Sequence, residues 1–289
     1  MTDETLYISL VKKIIDLGEL RSTRNSVTKS IFGEKLEFDI SKSIPFITTK
    51  KLSWKTVIKE LLWFLSGSTD NQLLLDQNVN IWKGNASREY MDSIGFTNRV
   101  VNDLGPVYGH QWRHFNAEYK DHKTDYTNQG IDQIQQVLHL LKTDPMSRRI
   151  ILSAWNPCQI SQMNLPPCHI LAQFYVSSNK ELSCMLYQRS ADVGLGLPFN
   201  IASYAVLTYI LAKLTNLKPN KLIITLGDAH IYENHIDALK EQVTRTLFDF
   251  PMLKFNPDKN YMDVNDFKVD DFILENYQHH EAIKMDMIT

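Results

Sequence analysis

Cysteine is scarce in this chain, and the little there is forms no pattern. Cys158, Cys168 and Cys184 are the three cysteines among 289 residues. They make no paired framework and match no zinc spacing, which excludes a disulfide scaffold and gives no ground for a metal. Charge of one sign is lacking too, since 31 Lys+Arg against 33 Asp+Glu leave a formal net charge of −2. So neutral a chain has no general attraction for nucleic acid or an anionic membrane, and any anion site must be local. No Pro/Gly/Ser-rich linker, repeat or low-complexity stretch divides the sequence, so one domain over residues 1–289 is expected. The start, MTDETLYISLVKK, has neither the charged nor the apolar region of a leader. The most apolar run, IASYAVLTYILAKLTN, is interrupted by Lys213 and reads as too short to cross a bilayer. These absences predict a reduced, cytoplasmic protein.

What is present is a large apolar complement, 43% of residues, patterned in two periods. Leu6, Leu10, Ile14 and Leu17 recur at helical spacing, as do Val57, Ile58, Leu61, Leu62 and Leu65. A third helix is predicted from Ile131, Ile134, Val137, Leu138 and Leu141, stopped by Pro145. The IASYAVLTYILAKLTN run is apolar nearly all round, as a helix buried in a core should be. RRIILSAW, HILAQFYVS, ELSCMLYQRS and KLIITLGDAHIY read as strands, rich in β-branched and aromatic residues. The polar stretch 83–130 reads as loops and short helices. Irregular alternation of strands and helices predicts an α+β fold, a large mixed, twisted sheet flanked by helices.

Several residues sit oddly in this pattern. Glu60 lies inside the most hydrophobic helix: beside Lys59 it could face solvent, and facing inward it becomes a candidate for proton handling. Arg148 and Arg149 are adjacent at the start of an expected strand, where successive side chains point to opposite faces, so at most one can serve its own subunit's site. Arg189 and Ser190 close another strand and could hold a phosphate. Asn200 reads either as an N-cap for the buried helix or as an amide that reads an imide edge such as uracil's. His230 and His235 are five apart, off the i, i+4 face that zinc helices use, and no metal is assigned. Cys168, straight after two prolines and before an apolar run, is either a small buried hydrophobe or a nucleophile.

Taken in chain order, PFITTKK, ELLWFLSG, DLGPVYGHQWRHF, DPMSRRIILSAWN, PPCHILAQFYV, LYQRSADVGLGLPFNIASY and GDAHIYENH closely resemble thymidylate synthase. The resemblance runs from about residue 5 to the end, and the insert GNASREYMDSIGFTNRVVN is similar to the longer loop of eukaryote-type members. No reductase segment is recognised, so a monofunctional chain is expected. The resemblance implies reductive methylation of dUMP to dTMP, with 5,10-methylenetetrahydrofolate giving carbon and hydride and leaving as dihydrofolate. It implies a methyltransferase of nucleotide biosynthesis, a homodimer with sheets back to back, and no metal.

Residue roles follow from the same resemblance. Cys168 matches the nucleophile that adds to uracil carbon 6, its thiolate helped by neighbouring arginines. Glu60 matches the water-ordering carboxylate, Tyr108 and His169 a hydrogen-bond network, with Tyr108 linked to loss of the carbon 5 proton. Arg189 and Ser190 match phosphate ligands, and Arg148 and Arg149 a pair that reaches the partner's phosphate, which removes the alternation objection. Gln188, Asp192 and Asn200 fall among the dUMP contacts, Asn200 as pyrimidine reader, with His230 and Tyr232 at the deoxyribose hydroxyl. Lys50, Trp82, Asn85 and Asp192 match folate contacts. Two departures stand out. The phosphate loop reads RSTRNSVT without the usual glycines, so Arg24, with Arg21 as rival, is expected on a differently shaped loop. The tail IKMDMIT ends in Thr289 where a small hydrophobe is usual, which should weaken a lid-like closure. Two alternatives are a nucleotide hydroxymethylase of the same fold, whose cytosine-specific form should carry Asp at position 200, and a non-catalytic nucleotide- or RNA-binding relative.

Overall fold

A computed structural model of the chain describes residues 4–23 and 26–288. Helix α1 (Glu4–Leu17) leads into strand β1 (Glu19–Ser22) and the long β2 (Val27–Asp39). Helices α2 (Trp54–Leu65), α3 (Gln72–Leu75), α4 (Arg88–Ser93), α5 (Tyr108–His114) and α6 (Gln133–Thr143) follow. Then come β3 (Ile151–Ser153), β4 (His169–Val176), β5 (Glu181–Asp192), α7 (Gly196–Thr215), β6 (Lys218–Tyr232) and α8 (Ile236–Gln242). A separate ribbon of β7 (Met252–Phe255) and β8 (Phe272–Glu275) closes the order.

Six strands form one sheet in the order β1-β2-β6-β5-β4-β3. Only β5 and β6 run parallel, joined by α7 in a βαβ crossover; the other pairs are antiparallel, so the sheet is mixed as expected. One apolar cluster runs from Tyr7 through α2, α6, α7 and the inner sheet face to Phe272. Each of its fully buried Leu or Ile side chains contributes about 1.5–3 kcal/mol relative to exposure.

Three local expectations are corrected. The buried helix begins at Gly196, not at Ile201, and has 20 residues, so it is long and apolar enough to cross a bilayer; most of it is nevertheless buried against the sheet. Asn200 therefore lies inside α7 and caps nothing. The strand read into RRIILSAW shrinks to Ile151–Ser153. Arg148 and Arg149 occupy a turn before it, just after the one that the Ser147 N–H closes on the Asp144 carbonyl (3.0 Å), so strand alternation never applied to them.

Candidate active site

The strand ends bring most of the singled-out residues together. Cys168 precedes β4 on a turn that Pro166 and Pro167 stiffen. Their two carbonyls accept from the guanidinium of Arg189, Nη2 to Pro166 at 2.9 Å and Nε to Pro167 at 2.7 Å. The Arg189 N–H also donates to the Cys168 carbonyl at 2.9 Å, and its guanidinium lies 5.6 Å from the Trp155 ring centre. The β4–β5 register slips between His169 and Leu171, an irregularity at the nucleophile's end of the ladder. Burial pushes the Cys168 thiol above its ordinary range, Arg189 opposes the rise, and Asp192 adds to it. Arg189 thus acts on the thiol in the direction expected of a neighbouring arginine, while desolvation acts against it.

On the helical side, Glu60 faces inward from α2 and is 7% exposed. It accepts the indole N–H of Trp82 at 2.8 Å. Burial raises its carboxyl to about 7, with the Trp82 bond pulling the other way. Tyr108 opens α5, and its hydroxyl accepts the Cys168 N–H at 2.6 Å. The Tyr108 ring stacks on His169, centres 4.1 Å apart and planes within 13°. His169 Nδ1 lies 2.9 Å from the Tyr204 hydroxyl, and burial drops the imidazole to about 3, so the ring is neutral at physiological pH. Trp82, Tyr108, Phe64 and His169 pack as one aromatic wall.

Opposite that wall, β5 and β6 supply polar groups. Gln188 Nε2 donates to Asn200 Oδ1 at 3.0 Å and to the Ser190 carbonyl at 3.0 Å. Its Oε1 is buried with no partner among the described residues, an acceptor held in reserve. A cavity of about 260 Å³ opens among Thr28, Arg189, Ser190, Asp228, His230 and Tyr232. Since a carboxylate only accepts, His230 donates from Nδ1 to Asp228 at 3.1 Å, leaving Nε2 for another group. Tyr232 is pushed to about 12 by burial first, then by the charges of Asp192, Cys168 and Asp228. A larger groove of about 530 Å³, between Lys59 and Phe267 on the outer side of α2, contains none of the singled-out residues.

Lys50 is buried near the turn after β5. Its ammonium donates to the Gly194 carbonyl, and burial lowers it to about 8 against the charges of Asp192 and Glu4. Asp192 Oδ1 accepts the N–H groups of Gly194 (2.9 Å) and Leu195 (3.2 Å). The Asn85 carbonyl accepts from Asn164 at 2.9 Å. Arg24 and Thr289 lie outside the described residues. The rival Arg21 stands on β1, paired to Asp228 at 2.6 Å, at the cavity's edge. Arg148 and Arg149 are exposed and remain apart from the cluster within one chain, where neither guanidinium has a partner among the described residues.

Four participants escaped sequence reasoning: Tyr204, Asp228, Trp155 and Glu4. Two left a signal. Tyr204 is one helical turn after Asn200, and Asp228 is two residues before His230 on the same strand, each spacing enough to put both side chains on one face.

Comparison with known proteins agrees with the geometry. The family model for thymidylate synthase matches residues 5–289. The chain is 54% identical over 296 residues to the thymidylate synthase of Saccharomyces cerevisiae, covering 99% of this chain and 97% of that protein. It is 50% identical over 285 residues to the thymidylate synthase of Herpesvirus ateles, covering 98% and 97%. A bifunctional dihydrofolate reductase-thymidylate synthase of Paramecium tetraurelia is 52% identical over 285 residues, and there the chain spans only 61% of the relative's length.

Proposed function

This chain belongs to the thymidylate synthase family, and from that premise we propose that it converts dUMP to dTMP by reductive methylation. The observation that carries the reading is the convergence of Cys168, Tyr108, His169, Glu60 and Arg189 at one end of the sheet. In this reading residues 1–289 act as a single catalytic domain, a methyltransferase of nucleotide biosynthesis.

Cys168 Sγ bonds to uracil carbon 6 as the C5=C6 pair moves toward the carbon 4 oxygen, giving an enolate nucleophilic at carbon 5. Arg189, the charge that opposes the rise in the thiol, eases loss of its proton for that attack. Asn200 reads the imide, its oxygen shared between Gln188 and the ring N–H, since an amide oxygen accepts twice. Arg189 and Ser190 bind the phosphate at the mouth of the cavity, and His230 Nε2 with Tyr232 takes the deoxyribose hydroxyl. Glu60, poised near 7, orders water for proton transfer to and from the carbon 4 oxygen. Tyr108 takes part in removing the carbon 5 proton. Re-forming C5=C6 finally expels the thiolate.

The family uses 5,10-methylenetetrahydrofolate as co-substrate, and the residues present suit it. Trp82 supplies a flat wall, Asp192 an acceptor, Lys50 a buried cation and Asn85 a neighbouring amide. Bound there, the folate supplies the one-carbon unit and the hydride. Asn200 favours uracil over cytosine and so argues against a cytosine-specific hydroxymethylase.

The reading extends to a homodimer. Ile151, Leu171, Tyr175, Met185 and Tyr187 are 37–64% exposed on adjoining strands β3, β4 and β5, an apolar sheet face suited to a second copy. Arg148 and Arg149 flank that face, which supports their service to the partner's phosphate. Free thiols at all three cysteines support a reducing, cytoplasmic setting. A 5-fluoro analogue of dUMP tests the covalent step, because a carbon–fluorine bond cannot lose a proton. With the folate it should leave a stable adduct on Cys168 by intact mass; modification elsewhere, or none, refutes the reading.

A further inference from the structure

The chain's last described segment, 276–288, lies over the fold as a strap without regular structure. Three bonds pin it. The His280 N–H donates to the Thr48 carbonyl at 2.9 Å, and Arg245 Nη1 to the Glu281 carbonyl at 2.7 Å. Farther along, His235 Nε2 donates to the Asp286 carbonyl at 2.7 Å.

The bond from His235 is set apart by the complete burial of its ring. A carbonyl can only accept, so the proton of His235 is fixed on Nε2, and a neutral ring leaves Nδ1 bare. His235 is 0% exposed, and Nδ1 is buried with no hydrogen-bond partner among the described residues. Nδ1 lies 3.0 Å from the point where a Cβ on Gly194 would stand; Asp192 Oδ1 and Met285 Sδ are each 3.3 Å from that point. Glycine is what lets the three side chains converge. The same Gly194 donates its N–H to Asp192 and accepts the ammonium of Lys50. Strap and folate groups therefore meet at one residue. Leaving a buried nitrogen unpartnered is costly, so the value of this histidine lies in what Nε2 holds.

We propose that His235 is a positioning residue that seats the strap, by the Asp286 carbonyl and the packing of Met285, on the Asp192–Gly194 turn. The proposal rests on the functional reading above, in which that turn faces the folate. A seated strap keeps water from the site during turnover. An unseated one loosens the folate contacts at that turn more than those to dUMP, which Arg189, Ser190 and His230 make from within the paired strands β5 and β6.

Carboxypeptidase trimming of the 289-residue protein, followed by mass spectrometry, reads strap seating without reference to activity. His235→Leu should release the residues from Asp286 onward about tenfold faster, the upper effect of one lost hydrogen bond. It should also raise the folate KM about tenfold while the dUMP KM stays within about twofold. His235→Gln keeps an N–H donor and should restore most of both. Gly194→Ala, which leaves the histidine in place but crowds it, should speed trimming as His235→Leu does. Trimming of His235→Leu at the parent's rate overturns the proposal. Should that variant fail to fold, parental trimming in both His235→Gln and Gly194→Ala overturns it, whereas slow trimming in the first and fast in the second upholds it. If the parent makes no dTMP while trimming still depends on His235, the functional reading falls and the strap assignment stands.

Discussion

Cys168 and Glu60 are each set against the solvent value of their type by burial, and each makes a prediction. The raised thiol means that alkylation of Cys168 by iodoacetamide should follow a pH curve lying above the ordinary thiol range. Arg189→Gln, which removes the opposing charge, should push the curve higher; a curve unmoved by that change would show that the guanidinium serves only as a clamp on the Pro166 and Pro167 carbonyls. Glu60 keeps its proton in the folded chain up to about 7, against 4.5 for an ordinary Glu. Between those values the folded chain holds more protons than the unfolded one, so this group's contribution is full below the lower value and lost as pH rises through the upper. Glu60→Gln should therefore gain stability on the parent between pH 5 and pH 8, by on the order of 3 kcal/mol at most. Calorimetric Tm values at the two pH values check it, a constant difference being the contrary result. The same variant should lose about 10²–10⁴ in kcat. Both residue identities were legible as chemistry in the sequence, but their protonation was not, because desolvation depends on neighbours brought from other elements. The inward turn of Glu60 was undecidable from α2 alone, and Trp82, 22 positions away, decides it.

Elements were legible where their surroundings were purely apolar. Helices α1, α2 and α6 fall where periodicity put them, because each lays one stripe on the core. Strand β2 left no usable pattern: its buried positions include Thr28 and Ser30 at the cavity end, while Phe32 is 81% exposed. Hydrophobic alternation fails there because the strand lines a polar site. The start of α7 was misplaced for a related reason, since its first turn carries Gly196, a residue that more often follows a helix than opens one. The buried Glu4 at the head of α1 accepts four bonds, from the N–H and hydroxyl of Thr48 (2.9 and 2.6 Å) and of Thr49 (3.0 and 2.7 Å). This fixes the chain just before Lys50. Glu4→Ala should destabilise by about 3 kcal/mol, as removal of one side of a buried charged network does. It should raise the folate KM more than the dUMP KM; equal change in both would break the link from α1 to Lys50.

For the whole molecule, the exposed apolar face of β3–β5 and the turn carrying Arg148 and Arg149 belong to one proposal, a site completed by a second copy. Met185→Asp should give monomers by analytical ultracentrifugation and lose activity with them. Arg149→Ala and Cys168→Ala proteins, each inactive alone, should regain activity when mixed and allowed to exchange subunits, since one of the mixed sites carries both native residues. Demonstrated exchange without recovery would refute the shared site. The sequence carried the chemistry of this arrangement through motifs in order, but only the fold shows that the two arginines stand away from their own chain's cavity. Conversion of dUMP to dTMP is read by product analysis of the purified protein with dUMP and 5,10-methylenetetrahydrofolate, with dCMP as control. A thymidylate-forming site gives dTMP and dihydrofolate in equal amounts from dUMP alone, both lost in Cys168→Ser; hydroxymethyl-dUMP with tetrahydrofolate, or no turnover, rules that activity out.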